Sequence, residues 1–203
     1  MRAAKPQYSF FAFLSRMRNI ARWSLMRNTV PENVQEHSHQ VAVIAHALAV
    51  IRNRFFGGTL NPEHIALLAL YHDASETLTG DLPTPIKYFS PQISAAYQDL
   101  EQVARDRILA MLPEELQGEY RGILDPDEHG EEAAILKAAD RLSALLKCVE
   151  EEKNGNREFQ KARASILERV KEMCGPDGKA MPEVTYFLDH FAGSFEKTLD
   201  ELN

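Results

Sequence analysis

Apolar residues recur along most of the chain with the three- and four-residue spacing of an amphipathic α-helix. No segment shows the strict alternation that is typical of a β-strand. Helices are therefore predicted over residues 9–20, 35–53, 62–77, 91–111, 130–153, 156–174 and 181–201. The segment over 79–91 holds three prolines and a glycine, so it is predicted to be a loop. We expect a single all-α bundle spanning 1–203.

The length of 203 residues suits one domain with a sizeable core. The formal net charge of −7 argues against a nucleic-acid polymer as the main partner. Two cysteines outside any CxxC pair, Cys148 and Cys174, make a disulfide framework improbable and favour a cytoplasmic location. No apolar run is long enough to span a bilayer. The basic, acid-free segment before Glu32 leaves a membrane-surface helix at 8–27 open as one interpretation.

Four polar residues interrupt apolar helix faces. His37 aligns with Val41, Ile44 and Leu48 on one predicted face. The adjacent pair His72 and Asp73 ends an apolar run, and Asp140 follows another; the four residues are His37, His72, Asp73 and Asp140. Polar groups on such faces are costly to bury unless they are paired or bind a metal.

Two imidazoles and two carboxylates form a mixed nitrogen and oxygen ligand set. Such a set suits a divalent transition metal such as Mn²⁺, Co²⁺, Cu²⁺ or Zn²⁺. A metal with open coordination positions can activate water and neutralise charge on a phosphoryl group. The sequence therefore predicts a metal-dependent hydrolytic site.

The order H…HD…D on separate helices resembles the HD-domain metal phosphohydrolases. The flanking segments, which are RWSLMR at 22–27, EHS at 36–38, HDASE at 72–76 and TGDLPTP at 79–85, resemble more narrowly the YfbR-type 5′-deoxynucleotidases. This resemblance covers about residues 8–200. It implies an HD-domain fold whose metal and substrate site comes mainly from 22–140, with C-terminal helices over 156–201 packed on the same bundle.

The resemblance also implies roles for individual residues. Arg22 would orient the phosphate, Asp73 the attacking water, and Glu76 would assist proton transfer. Trp23 would wall the sugar pocket and Asp81 would accept a hydrogen bond from the 3′-hydroxyl. The full set expected to touch substrate is Arg22, Trp23, His37, Asp73, Asp81, Leu82, Pro83, Thr84 and Asp140.

The resulting hypothesis is a 5′-deoxynucleotidase that converts deoxyribonucleoside 5′-monophosphates to deoxyribonucleoside and phosphate. The cofactor would be one divalent ion, Co²⁺ in the first place, with Mn²⁺, Cu²⁺ or others as alternatives. The resemblance suggests a homodimer. Two other functions stay open: an HD-type hydrolase of nucleoside triphosphates or alarmones, and a non-catalytic metal- or nucleotide-sensing module. Few basic residues stand near the motifs beyond Arg18, Arg22 and Arg27, which favours a monophosphate over a triphosphate.

Overall fold

The computed structural model describes residues 7–87, 89–127 and 129–202. Arg2 and Lys5 of the basic N-terminal segment lie outside the described residues. The helices are α1 Phe10–Leu14, α2 Val34–Phe56, α3 Pro62–Tyr71, α4 Glu76–Thr79, α5 Thr84–Lys87, α6 Pro91–Leu109, α7 Glu114–Leu124, α8 Glu131–Lys153, α9 Gln160–Cys174 and α10 Pro182–His190. Short 3₁₀ helices cover Ser15–Asn19, Arg157–Phe159, Ala192–Glu196 and Leu199–Leu202. The described residues form no β-sheet, which confirms the predicted all-α class.

Helix α2 is the central element, and it packs against α3, α8 and α10. Its start is fixed by a capping box, in which Asn33 Oδ1 accepts from the Glu36 amide and Glu36 Oε2 accepts from the Asn33 amide. It ends at Gly57, whose φ of 69° lies in the left-handed region that glycine adopts without strain. The main apolar core lies between α2, α3, α8, α9 and α10.

The helix predicted over 62–77 is interrupted at the HD pair. Helix α3 ends at Tyr71, and residues 72–75 form turns before α4 begins at Glu76. His72 Nδ1 lies 2.7 Å from the carbonyl of Ala69, which would serve the amide of residue 73 in a continuing helix. The break turns His72 and Asp73 toward α2 and α8.

Three other helix predictions needed correction. Helix α7 was not predicted, although Leu116, Tyr120 and Leu124 keep the spacing of one helix face. The predicted helix over 181–201 ends at His190 and continues as 3₁₀ segments around Gly193. The predicted loop over 79–91 contains the short helix α5.

The N-terminal segment packs onto the bundle through one side. Phe10 is fully buried in a second apolar cluster with Ile108 and Leu112, and its ring lies 5.0 Å from that of Tyr120. Tertiary packing therefore accounts for this apolar residue without a lipid surface. Among the described residues, no helix is long and apolar enough to cross a membrane.

Candidate active site

Two backbone hydrogen bonds join the N-terminal segment to the residues at the start of α2. The Arg22 amide donates to Glu32 O at 3.0 Å, and the Val34 amide donates to Ile20 O at 3.0 Å. Together they make an isolated antiparallel bridge between Ala21 and Asn33. This pairing places Arg22 beside the helix that carries His37.

The HD residues converge from three helical regions. His37 Nε2 on α2 lies 3.0 Å from Asp140 Oδ1 on α8 and 3.7 Å from Asp73 Oδ2. His72 Nε2 lies 3.1 Å from Asp73 Oδ2, and the two imidazole rings are 5.4 Å apart. Ligand atoms of His37, His72 and Asp140 all lie within 4.8 Å of one another. Asp73 is not part of that set of three, but its carboxylate touches both imidazoles.

Contacts at Nδ1 hold His37 and His72 in one tautomer. Ser143 Oγ donates to Gln40 Oε1 at 2.7 Å, so it is left to accept from His37 Nδ1 at 3.2 Å. His72 Nδ1 donates to the Ala69 carbonyl. In the neutral form of each ring, Nε2 therefore carries the lone pair, which is the form that binds a metal.

Those two Nε2 atoms are buried and have no hydrogen-bond partner among the described residues. Their neighbouring carboxylates are close but do not have hydrogen-bond geometry toward them. Buried, unpaired acceptors that face two carboxylates are the arrangement that a cation would satisfy. The residues present therefore fit a divalent metal of the nitrogen- and oxygen-binding kind.

Electrostatic coupling within this cluster is strong. Burial by itself lowers the pKa of His72, but the Asp73 carboxylate raises it, to about 9. Although burial raises the pKa of Asp73, His72, His37 and Arg22 together hold it well below its usual range. Although burial raises the pKa of Asp140, the close imidazoles of His37 and His72 hold it below its usual value. Both carboxylates are therefore ionised at neutral pH.

Arg22 is held between two acidic residues. Its Nη1 lies 3.5 Å from Asp73 Oδ2, and its Nε donates to Glu32 Oε2 at 3.3 Å. Glu32 Oε2 also accepts from Trp23 Nε1 at 2.9 Å. Trp23 adopts a φ of 58°, which is strained for a bulky residue and is typical of functional positions. Glu32, to which the sequence assigned no role, thus orients both Arg22 and Trp23.

Glu76 begins α4 and is buried close to the cluster. Burial raises its pKa to about 10, and the neighbouring charges of Asp73 and Asp81 add to the effect. Its Oε2 atom is buried without a hydrogen-bond partner among the described residues. A carboxylic acid in this state can donate a proton at neutral pH.

A cavity of about 550 Å³ opens next to Asp140 and Arg22. Its wall contains Arg22, Trp23, Leu25, Met26, Asp81, Pro83, Thr84, Pro85, Lys137, Asp140, Arg141, Ala144, Ala162, Ser165, Ile166 and Arg169. Three of the residues expected to touch substrate are not among those that line the cavity: His37, Asp73 and Leu82. The wall also includes parts of α9, beyond the 22–140 region expected to form most of the site.

Two lysines near the motifs in the sequence, Lys87 and Lys147, form ion pairs with glutamates. Lys147 is buried and contacts Glu151 Oε1 at 2.5 Å. Lys87 contacts Glu101 Oε1 at 2.9 Å. Both are therefore engaged in ion pairs, whereas the basic residues on the cavity wall are Arg22, Lys137, Arg141 and Arg169.

Comparison with known proteins agrees with this geometry. The model of a family described as 5′-deoxynucleotidase YfbR-like matches residues 9–195. The chain is 52% identical over 195 residues to a 5′-deoxynucleotidase from Vibrio parahaemolyticus, covering 96% of this chain and 97% of that protein. It is 53% identical over 199 residues to a 5′-deoxynucleotidase from Vibrio cholerae, with 96% and 97% covered.

Solved structures share the fold. An HD-domain phosphohydrolase from Listeria innocua superposes with a TM-score of 0.80 at 26% identity, covering 92% of this chain and 88% of that one. The cyanophage S-2L HD phosphohydrolase DatZ, bound to dA and one catalytic Zn²⁺, gives a TM-score of 0.66 at 19% identity, with 93% and 99% covered. The predicted resemblance is confirmed, and the chain belongs to the YfbR-like 5′-deoxynucleotidase family of HD-domain phosphohydrolases.

Proposed function

We propose that this chain hydrolyses deoxyribonucleoside 5′-monophosphates to deoxyribonucleoside and phosphate, through a site made by His37, His72, Asp73 and Asp140. The observation that carries the proposal is the pair of buried, unpartnered Nε2 atoms facing two ionised carboxylates. The relatives named 5′-deoxynucleotidase are 52% and 53% identical to this chain over 96% of its length, and they support the substrate class.

The four residues His37, His72, Asp73 and Asp140 would hold one divalent metal. That ion would supply Lewis acidity, which lowers the pKa of water and neutralises phosphate charge. We propose Co²⁺ in the first place and Mn²⁺ or Cu²⁺ as alternatives; DatZ contains Zn²⁺.

Arg22 is the phosphate-orienting residue in this proposal. Its guanidinium is buried at the cavity wall, and Glu32 and Asp73 fix its plane. A fixed guanidinium can contact two non-bridging phosphate oxygens at once without further ordering. The Asp73 carboxylate would orient the attacking water.

Glu76 is the proton donor. Hydrolysis breaks the bond between phosphorus and O5′, and the departing oxygen needs a proton. The raised pKa of Glu76, about 10, keeps its carboxyl group protonated at neutral pH, so it can supply that proton.

The sugar would bind against the Trp23 and Asp81 side of the cavity. The Asp81 carboxylate would accept a hydrogen bond from the 3′-hydroxyl, and the Trp23 ring would leave no room for a 2′-hydroxyl. Pro83 and Thr84 line the same wall, and the prolines limit how far the loop can move. His37 and Asp140 would contact the phosphate of the substrate. Leu82 would contact the substrate through its backbone.

We further propose a homodimer of single HD domains spanning 1–203, in the cytoplasm. Val43 and Val50, seven residues apart on α2, are 57% and 43% exposed, and Leu70 on the neighbouring α3 is 42% exposed. Apolar side chains exposed on one helix face favour a protein contact. Light scattering should report twice the chain mass for the wild-type protein and a single chain mass for Val43→Glu with Val50→Glu. A single chain mass for the wild-type protein, or twice the chain mass for the variant, would contradict this arrangement.

The function is tested by stripping the protein of metal and assaying dTMP, dAMP, AMP, dATP and a generic phosphate ester with Co²⁺, Mn²⁺ or no addition. We expect metal-dependent phosphate release from the deoxymonophosphates, weak release with AMP, and loss of activity in Asp73→Asn. Equal rates with dAMP and AMP would overturn the sugar selectivity. No release from any monophosphate would overturn the proposed function.

A further inference from the structure

Trp23 carries the sugar selectivity in the proposed function, so the contacts that hold its ring bear on the choice of substrate. Its Nε1 donates to Glu32 Oε2 at 2.9 Å, which fixes one edge of the indole. One hydrogen bond still lets the ring tilt, because the torsion next to an aromatic ring has a broad preference. A ring that excludes a 2′-hydroxyl needs a second contact to set its plane.

That second contact is the ring of Phe159. The centroids of the two rings lie 5.3 Å apart, and their planes meet at 56°. Aromatic pairs at this separation attract each other beyond the simple burial of apolar area. Phe159 is fully buried, so close packing leaves its ring no free space in which to move away from Trp23. Trp23 is therefore held at its nitrogen by Glu32 and at its ring by Phe159.

The segment that carries Phe159 is tied to the loop that follows Trp23. Phe159 ends a short 3₁₀ helix between α8 and α9. Asn156 Nδ2, at the start of this helix, donates to the Arg27 carbonyl at 2.6 Å, and Glu158 Oε2 accepts from the Arg27 amide at 3.3 Å. These two hydrogen bonds hold the loop against the 3₁₀ helix, and they therefore keep the two rings in contact.

The backbone of Trp23 is held separately from its ring. Its φ of 58° is unfavourable for a bulky side chain, and such a conformation persists only where the surroundings hold it. The Trp23 carbonyl accepts from the Met26 amide at 2.9 Å and from Asn28 Nδ2 at 3.3 Å. Those bonds fix the backbone, whereas Glu32 and Phe159 fix the indole.

We propose that Phe159 is a positioning residue that sets the selectivity for deoxyribose over ribose by fixing the plane of the Trp23 ring. This inference rests on the proposed function, in which that ring leaves no room for a 2′-hydroxyl. Phe159 is not among the residues that line the cavity, so it acts through Trp23 and not by touching the substrate. It also belongs to neither apolar cluster of the described residues, so this role does not depend on the packing of the core.

Trp23 is the only tryptophan of the chain, so tryptophan fluorescence reports the mobility of this ring alone. The variant is Phe159→Leu, which removes the aromatic ring but keeps an apolar side chain. We expect acrylamide quenching to rise and fluorescence anisotropy to fall, because the indole gains freedom to tilt.

The same variant should lose sugar selectivity. We expect the ratio of kcat/KM for dAMP to that for AMP to fall about fivefold, which matches the strength of one aromatic pair. The fall should come mainly from AMP, which becomes a better substrate when the ring can move aside. The kcat for dAMP should change by less than about twofold, because Phe159 touches neither the substrate nor the metal site. Metal content should be unchanged.

The matched control is Phe10→Leu. Phe10 is also fully buried, but it packs in the second apolar cluster with Ile108 and Leu112. The same atoms are removed from a buried site in both variants, so both should lose stability, which thermal unfolding followed by circular dichroism measures. The control should leave the fluorescence of Trp23 and the ratio between dAMP and AMP unchanged.

A double variant separates action through Trp23 from any other action of Phe159. In a Trp23→Ala background, Phe159→Leu should lower the ratio between dAMP and AMP no further, because the ring through which Phe159 acts is gone. A further fall in that background would overturn the positioning role.

Other outcomes would decide against the proposal in different ways. Unchanged fluorescence in Phe159→Leu would show that Phe159 does not hold the Trp23 ring. A more mobile ring with an unchanged ratio between dAMP and AMP would separate the ring from sugar selectivity. Equal losses of the ratio in Phe159→Leu and Phe10→Leu would assign the effect to general loosening. Equal hydrolysis of dAMP and AMP by the wild-type protein would instead overturn the proposed selectivity, and no hydrolysis of dAMP would overturn the proposed function.

Discussion

Ser143 Oγ lies 3.2 Å from His37 Nδ1, and its own proton goes to Gln40. This contact directs the lone pair of His37 Nε2 toward the two carboxylates. Ser143→Ala should therefore weaken metal binding by about 10- to 100-fold, the range for lost partners of metal-binding histidines. Competition with a fluorescent chelator measures the affinity.

The control for this change is Ser38→Ala. Ser38 lies on α2 and is buried like Ser143, but its hydroxyl has no partner among the described residues. The Ser38→Ala substitution should leave metal affinity nearly unchanged. Equal losses in both variants would show that Ser143 acts only through packing.

Glu76→Gln tests the proposed proton donor. The amide cannot donate a mobile proton, so kcat for dTMP should fall about 10²- to 10⁴-fold. The proton donor must be protonated, so activity should decline as pH rises through its pKa. Without metal the pKa of Glu76 is about 10, because burial, Asp73 and Asp81 raise it more than Arg22 and Lys87 lower it. A bound cation lowers this pKa.

The pH–rate profile of Glu76→Gln should not show the decline at alkaline pH that we expect for the wild-type protein. A variant whose residual activity keeps the wild-type alkaline decline would assign the proton transfer to another group. Metal content measured on the same samples separates this loss from loss of the ion.

Glu32→Gln tests the positioning of Arg22 and Trp23. The neutral amide keeps the size of the side chain but weakens the charge-assisted bonds from Arg22 Nε and Trp23 Nε1. We expect the KM for dTMP to rise by about tenfold, the effect of losing about 1.4 kcal/mol of orientation. Discrimination between dAMP and AMP should weaken as well. An unchanged KM and unchanged discrimination between dAMP and AMP would show that Glu32 does not position Arg22 and Trp23 for substrate binding.

Glu151 stabilises the loop that follows Trp23. Its fully buried carboxylate accepts from the amides of Thr29 and Val30, from Asn156 Nδ2 and from Lys147. Glu151→Ala leaves Lys147 buried without its partner, which should lower the free energy of unfolding by about 3–5 kcal/mol. Urea denaturation measures this, and Glu150→Ala, on the exposed side of α8, should change it little.

The same carboxylate predicts a dependence of stability on pH. Although burial raises the pKa of Glu151, its hydrogen bonds with Lys147, Thr29 and Asn156 hold it far below the ordinary range. Its contribution is therefore complete above the unfolded pKa of about 4.3, and it is lost as pH falls toward the folded pKa. Glu151→Gln should flatten the decline in stability below about pH 4. A wild-type decline in that variant would contradict the assignment.

The sequence predicted the helical class and the convergence of the HD residues because both depend on local patterns. Periodic apolar residues indicate helices, and a polar residue on an apolar face stands out, as His37 does. The family resemblance added Arg22 and Glu76, whose local patterns alone are common on helix surfaces.

What the sequence missed depends on contacts between distant segments. Ser143 and Glu32 are ordinary polar residues until folding brings them to His37 and Arg22. Arg141 and Arg169 are 28 positions apart in the sequence, and both line the cavity because α8 packs against α9. The end of α3 at Tyr71 likewise depends on a side-chain contact of His72 that no apolar period reveals.

The most direct test of the account measures metal content and dTMP hydrolysis on the same samples. The stripped protein is titrated with Co²⁺, alongside His72→Ala and Asp140→Asn. We predict that turnover by the wild-type protein rises until one ion is bound per chain, and that both variants lose tight binding and turnover together. Full turnover by the metal-free protein, or by Asp140→Asn without a bound ion, would contradict the account.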